Sequence, residues 1–329
     1  MARTGLLARD LSKIGAMRLG SFGRYGSEKG AFKFSLSLTA LPDGTLVVCD
    51  TNNCRLQCVP PQCFTGLLLN QSLSDLPASA AVATAQLPQA GGGPSGDDTL
   101  QQPSTLSALV TVIDLAPSYP RCVTYAELRG EPRIIVAMYG GPAGNGKLRS
   151  YALDGTPCFN EVNIACPNPK GVLWVPSSRS VQLLASSNDN TVVAYDDRGR
   201  QVWASEGGGL KGARGLALLR GAQEVAVADE KGNCLHVLDI NDGRFLRYIG
   251  VNQLEGPVRM ATVSGGEVVL VSENDASRVS IWTANGNRLH VWGTRGKLAG
   301  QFVRPSGIVV YPTGHIAVVD LSLGRIQLF

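Results

Sequence analysis

Residues 47–59 read Val47-Val48-Cys49-Asp50-Thr51-Asn52-Asn53-Cys54-Arg55-Leu56-Gln57-Cys58-Val59: an apolar run closed by an aspartate, a polar turn, then a shorter alternating run. The same order returns at 135–153, 183–195, 225–238, 269–282 and 317–329. The first residue of the second run falls at Arg55, Lys147, Thr191, Cys234, Arg278 and Arg325, so successive copies are 92, 44, 43, 44 and 47 residues apart. A fixed period marks a repeat architecture, and a unit of about 44 residues holding four short strands has the size of a propeller blade. The longest step is one such unit enlarged by about 48 residues.

In the unit that starts at Gly212, strands are predicted over 213–219, 224–228, 235–239 and 245–249. Asn241-Asp242-Gly243 separates the last two, and Asp-Gly favours a hairpin because it tolerates positive φ. Asp43-Gly44, Asp154-Gly155 and Asn285-Gly286 repeat the signal. The second strand of each unit is the apolar one, as expected of a strand buried on both faces. The chain therefore reads as all-β: a closed six-bladed β-propeller over 16–329, preceded by a lead over 1–15. The last unit stops at Phe329 after three strands. Ala16-Met17-Arg18-Leu19-Gly20-Ser21-Phe22-Gly23 resembles the fourth strands at 245–250 and 288–293, so it is expected to complete that blade and leave no long open sheet edge.

The enlargement lies at about 60–104 in the first blade. From Gln71 to Leu106 there is no Lys, Arg or aromatic residue, and such a composition buries too little apolar surface to offset the entropy of ordering. It reads as a loop, with a docking or phosphorylation segment as the functional alternative, and 106–115 is expected to resume the blade as its fourth strand.

Composition excludes several classes. With 44% hydrophobic residues the 329-residue chain is too apolar for wholesale disorder, and no apolar run approaches the roughly 20 residues of a membrane-spanning helix. The start, Met1-Ala2-Arg3-Thr4-Gly5-Leu6-Leu7-Ala8-Arg9, lacks the apolar core of a secretory signal. Cys49, Cys54, Cys58, Cys63, Cys122, Cys158, Cys166 and Cys234 are scattered through a domain too large to need disulfides, so reduced thiols in a cytoplasmic protein are expected. A net charge of +4 is mild, and any positive field must come from placement.

The first and last blades carry Phe22-Gly23, Gly30-Ala31-Phe32, Asp43-Gly44, Asp50 and Arg55-Leu56-Gln57, and Trp292-Gly293, Gly300-Gln301-Phe302, Pro305-Ser306-Gly307, Asp320 and Arg325-Ile326-Gln327. These residues resemble the NHL repeat, whose pattern runs from a Gly-x-Phe segment through an apolar strand ending in Asp to Asn-His-Arg-Ile-Gln. Cys54 stands where the motif has His, and the inner four blades keep mainly spacing and polarity. The chain looks like the propeller of a tripartite-motif (TRIM-NHL) ubiquitin ligase. In that family a RING domain carries the ubiquitin chemistry and the propeller recruits protein or RNA; no RING array occurs in these 329 residues. The resemblance to an insect muscle member of the family implies a myofibril-associated cytoplasmic location.

Two sets of residues stand out. Asp50 with Arg55, and Asp320 with Arg325, bracket the same turn and are expected to pair as braces within their blades. At the approach to each innermost strand the sequence offers Lys33, Arg121, Lys170, Arg214, Arg259 and Arg304. Aligning Pro120, Pro169, Ala213 and Pro305 puts Arg121, Lys170 and Arg214 in one register, with Arg259 and Arg304 within a residue of it and Lys33 looser. Arg24, Tyr25, Tyr119, Lys211, Arg295 and Lys297 would extend this basic rim. The expected role is docking of protein partners by a monomeric, non-catalytic domain, with single-stranded RNA as the alternative ligand and no membrane contact. No cofactor is expected. The three histidines, His236, His290 and His315, fall in different strand positions, and the cysteines at 49, 54, 58 and 63 straddle two strands, so neither set reads as a metal site. The run 141–147 has the spacing of a phosphate loop, but Leu148 replaces the required Ser or Thr and a strand follows.

Overall fold

The computed structural model describes residues 20–64, 104–140, 146–158, 162–176, 182–205 and 209–329. The lead over 1–15, most of the insertion, and the greater part of the 141–147 turn lie outside the described residues. Strand β1 is Gly20–Phe22, and the first blade comprises β2 (Ser35–Ala40), β3 (Leu46–Asp50), β4 (Arg55–Val59) and β5 (Thr111–Asp114). The second holds β6 (Tyr119–Leu128), β7 (Glu131–Tyr139), β8 (Lys147–Tyr151) and β9 (Asn163–Ala165). The third holds β10 (Pro169–Trp174), β11 (Leu183–Ser187), β12 (Val192–Tyr195) and β13 (Gln201–Ala204). The fourth holds β14 (Ala213–Leu219), β15 (Glu224–Asp229), β16 (Cys234–Asp239) and β17 (Phe245–Ile249). The fifth holds β18 (Pro257–Val263), β19 (Val268–Glu273), β20 (Arg278–Thr283) and β21 (Arg288–Trp292), and the sixth β22 (Pro305–Val310), β23 (Ile316–Asp320) and β24 (Arg325–Leu328).

Each blade is a four-stranded antiparallel sheet, and the chain is a six-bladed β-propeller. The sixth blade is completed by β1, with Gly20 opposite Leu328, Ser21 opposite Gln327 and Phe22 opposite Ile326, as the sequence predicts. One expectation fails. The stretch 106–115 is not one strand: Ser104–Ala108 is a short helix, α1, and only Thr111–Asp114 pairs with β4. Leu106 packs toward Phe22 and Phe64 rather than joining a ladder, so the chain covers the core between blades before it resumes the sheet.

Innermost strands β2, β6, β10, β14, β18 and β22 pack side by side around the axis. The core divides into six apolar clusters, one between each pair of neighbouring blades. The second strands take part on both faces, which is why 46–50, 183–187, 268–273 and 316–320 are buried at every residue. Around the axis the blades are stitched by short side chains onto backbone carbonyls. Ser306 Oγ donates to Leu36 O at 2.8 Å, Thr51 Oγ1 to Pro120 O at 2.7 Å, and Ser272 Oγ to Ser306 O at 2.6 Å.

Phe22 is fully buried, with its ring edge-on to Phe32 and Phe64 at 6.2 and 5.7 Å. Removal of residues 1–23 is expected to abolish most of the folding stability, and Phe22→Ala alone to cost about 3–5 kcal/mol. Thermal melting followed by circular dichroism checks both; an unchanged midpoint in the truncated chain would refute the closure.

Candidate binding face at the channel mouth

In four of the blades the approach to the innermost strand is fixed from behind by the blade's own second and third strands. In the first blade Asp50 ends β3 fully buried and accepts the Lys33 N–H at 2.7 Å, Arg55 Nε at 2.7 Å and Gln57 Nε2 at 2.9 Å. Arg55 Nη2 donates to Glu28 O and Ala31 O, and Gln57 Nε2 also donates to Ala31 O. The sixth blade repeats the clamp. Asp320 accepts the N–H groups of Val303, Arg304, Ser322 and Leu323, while Arg325 Nη2 donates to Leu298 O and Gln301 O and Gln327 Nε2 to Gln301 O. Asp50 and Arg55 thus form the expected brace, with 2.7 Å between Nε and Oδ2. Asp320 adds a feature the sequence reading did not contain: it is anchored by four backbone N–H groups. In the fifth blade Glu273 takes the same place, with Arg278 at 2.8 Å and the Glu255 N–H at 2.9 Å.

The fourth blade varies the theme. Asp229 accepts the N–H groups of Lys211 and Gly232, and His236 Nε2 lies 3.1 Å from its Oδ2. With Cys234 these side chains form the one group of three metal-capable residues among the described residues, their ligand atoms within 4.8 Å of one another. The sequence reading missed this triplet because it treated His236 alone; the signal was that Asp229, Cys234 and His236 occupy the positions of Asp50, Arg55 and Gln57. The triplet is the brace in another chemistry, since the Lys211 N–H and His236 contacts of Asp229 match those of Lys33 and Gln57 with Asp50 in the first blade. Although burial opposes ionisation, hydrogen bonds from His236 and the two backbone N–H groups hold the Asp229 carboxyl below the usual carboxylate range. Among the described residues the cysteines at 49, 54, 58 and 63 fall in no group of three metal-capable residues, and the eight cysteines form no disulfide.

The basic residues emerge where the clamps release the chain. Pairing between the first two strands shifts register after Pro120, Pro169 and Ala213, so Arg121, Lys170 and Arg214 each occupy the bulge that opens an innermost strand, as the alignment predicts. The other three lie off the bulge, Arg259 by the one residue expected of it. Arg259 comes one residue later than the bulge position, which Val258 holds, and is only 8% exposed. It reaches across the axis: Nη2 donates to Arg121 O at 2.9 Å and Lys170 O at 3.0 Å, tying the fifth blade to the second and third. Arg304 and Lys33 precede the first paired residues, Pro305 and Ser35, of their blades. Arg304 is exposed, its guanidinium 6.0 Å over the Phe34 ring and its Nε donating to Asn274 Oδ1.

The six charges therefore do not form an even ring; four of them crowd the side built by the second to fifth blades. Close backbone approach makes that possible. A Cβ on Gly171 would stand 2.5 Å from Arg214 O, and one on Gly215 would stand 2.8 Å from Val258 O. Burial and the neighbouring guanidinium groups of Arg214 and Arg121 push the Lys170 ammonium down to about 8, and burial with Arg214 lowers Arg121 as well. Arg121 also lies 5.1 Å over the Tyr139 ring. Among the described residues the one carboxylate paired with this cluster is Glu230, on Arg214, a partner that sequence reasoning missed although it directly follows Asp229. Arg24, Tyr25, Lys211, Arg295, Lys297 and Tyr119 are exposed; Arg24 lies 3.8 Å from Glu28, and Tyr119 lies 6.4 Å from Tyr139.

No family model matches the sequence, and no curated protein does. Solved structures do resemble its fold. The WD40 propeller domain of Doa1 is 14% identical with a TM-score of 0.57, covering 90% of this chain and 78% of its own. A streptogramin B lyase is 10% identical with a TM-score of 0.58, covering 95% and 98%. A chain of the mitotic checkpoint complex is 10% identical with a TM-score of 0.57, covering 95% of each. These likenesses establish the propeller class.

Two outcomes test the clamps. Asp320→Ala leaves buried N–H groups without an acceptor and is expected to cost about 3 kcal/mol or more in urea unfolding. For Asp229 the folded carboxyl is the stronger acid, so its contribution is present above about pH 4 and lost as pH falls through the folded value. The stability gap between the parent and Asp229→Asn should accordingly be widest near neutral pH and narrow on acidification, as read by urea midpoints across a pH series.

Proposed function

We propose that this propeller is a non-catalytic recruitment domain that docks an acidic segment of a protein partner on the basic mouth of its channel. The observation that carries the reading is the crowding of Arg121, Lys170, Arg214 and Arg259 against a single paired carboxylate among the described residues. Such a cluster attracts anions and speeds their encounter. Likeness to propellers from Doa1 and from a multi-protein assembly supports an interaction scaffold, while the lyase shows that the same fold also hosts catalysis. The NHL-like residues gain a physical sense here, because the Arg and Gln of the third strand hold the Gly-x-Phe segment that leads to the mouth. That supports placing the domain in a RING-type ubiquitin ligase of the tripartite-motif class, acting in the cytoplasm.

Single-stranded RNA is the second reading, favoured by Tyr25, which is 55% exposed beside Arg24 and offers a face for base stacking. The test is binding of Asp/Glu-rich peptides and of a random single-stranded RNA pool across a salt series, with Arg121→Glu/Lys170→Glu/Arg214→Glu as the comparison. Peptide binding is expected in the parent and lost in the variant at a comparable melting temperature. Micromolar RNA binding near physiological salt, lost in the same variant, would instead assign the face to RNA.

A further inference from the structure

We infer that the crowded side of the mouth is a discrete phosphate-binding pocket, walled by Arg121, Lys170, Arg214 and Arg259, that takes the phosphoryl group of a phosphorylated protein segment. The inference deepens the recruitment reading and rests on it for the source of the phosphoryl group, but the pocket itself stands on geometry. Arg259 is more than nine-tenths buried, and its Nε–H has no hydrogen-bond partner; the Arg121 Nε–H is buried and unpartnered too. Two guanidinium donors of the cluster are thus without an acceptor among the described residues, while Arg214 is held by Glu230 and the Arg259 Nη groups by backbone carbonyls. Buried donors of this kind are rarely left unmade, and here they mark positive charge that the protein's own groups do not compensate.

Charge selects the acceptor. Four cations face one another and Glu230 offsets one of them, leaving three in excess. A carboxylate brings a single charge, whereas a phosphate monoester brings about −1.5 to −2 and three acceptor oxygens. The Lys170 ammonium, held near 8 by burial and by Arg214, Arg121 and Arg259 against the opposing Glu230, records the same excess. The walls are rigid, because Gly171 and Gly215 bring three inner strands into contact and Arg259 ties two carbonyls across the axis. Little ordering remains to oppose binding.

The test uses the whole chain. Inorganic phosphate, pyrophosphate, and a phosphoserine peptide beside its serine and glutamate versions are titrated by calorimetry near pH 8 in buffers of different ionisation enthalpy. Phosphate-class ligands are expected to bind with proton uptake as Lys170 is recharged. Lys170→Gln should lose the uptake, and it and Arg121→Gln should each weaken binding roughly tenfold or more. Lys170→Gln should melt no lower than the parent without ligand, because it relieves like-charge crowding; a merely structural lysine would show the reverse. Preference for the phosphoserine peptide over both controls supports the assigned source. Binding of pyrophosphate without the phosphopeptide would overturn that source and leave a small polyphosphate as ligand. Failure of all phosphate ligands, or equal binding by both variants, overturns the pocket. If acidic peptides still bind in that case, the recruitment face survives without it.

Discussion

A carboxylate buried at the end of a blade's second strand, accepting a backbone N–H from the segment that enters the innermost strand, is the contact on which the architecture turns. Asp50, Asp229, Glu273 and Asp320 all do this, to Lys33, Lys211, Glu255 and to Val303 with Arg304. An ionised acceptor makes a stronger hydrogen bond than a neutral one, and burial at these positions removes competing water. The side chain that meets the carboxylate can then vary. Arginine pairs with it in the first and fifth blades, and in the fourth a histidine nitrogen takes the hydrogen-bonding place instead. In these four blades the N–H needs an acceptor in reach, because an unpaired donor there would be buried at full desolvation cost.

That constraint explains how the mouth tolerates its own repulsion. Arg121, Lys170 and Arg214 stand on bulges whose neighbours are locked by glycine contacts and by the carbonyls that Arg259 holds. Side chains so placed cannot relax apart by moving the backbone. The second and third blades lack an acidic residue at the end of the second strand, having Met138 and Ser187 opposite Pro120 and Pro169. They are the two blades whose bulge carbonyl or its neighbour is captured by Arg259 instead. The tie across the channel anchors these two blades through their carbonyl groups, where a local carboxylate elsewhere anchors the chain through its N–H groups.

Most of the fold was legible because a propeller writes its plan in a period. The spacing of the polar turns, the doubly buried second strands and the incomplete last unit led to six blades and to closure by the N-terminal strand, all of which the structure contains. The helix Ser104–Ala108 was not legible, since Leu106 is apolar in either a strand or a short helix and only its seat over Phe22 and Phe64 decides between them. At the mouth, proline and alanine positions located the three bulge cations correctly. Arg259 escaped because a single residue of offset turns its side chain from the rim into the axis, and no local pattern encodes a reach from the fifth blade to the third. The Asp229, Cys234 and His236 triplet escaped because its three chemistries share a register with Asp, Arg and Gln but no residue type beyond the aspartate.

Closure by β1 also joins the two ends of the described chain. Gly20 lies opposite Leu328 on neighbouring strands at the outer edge of the sixth blade, and the blades follow one another around the ring in the order of the sequence. A short linker between these ends, with a new opening cut between two other blades, would produce a circular permutant that retains every strand pairing. It would replace the non-covalent seam in the sixth blade with a covalent one. The ring's integrity would then depend on the new cut alone, and the seam could be moved around the molecule one blade at a time.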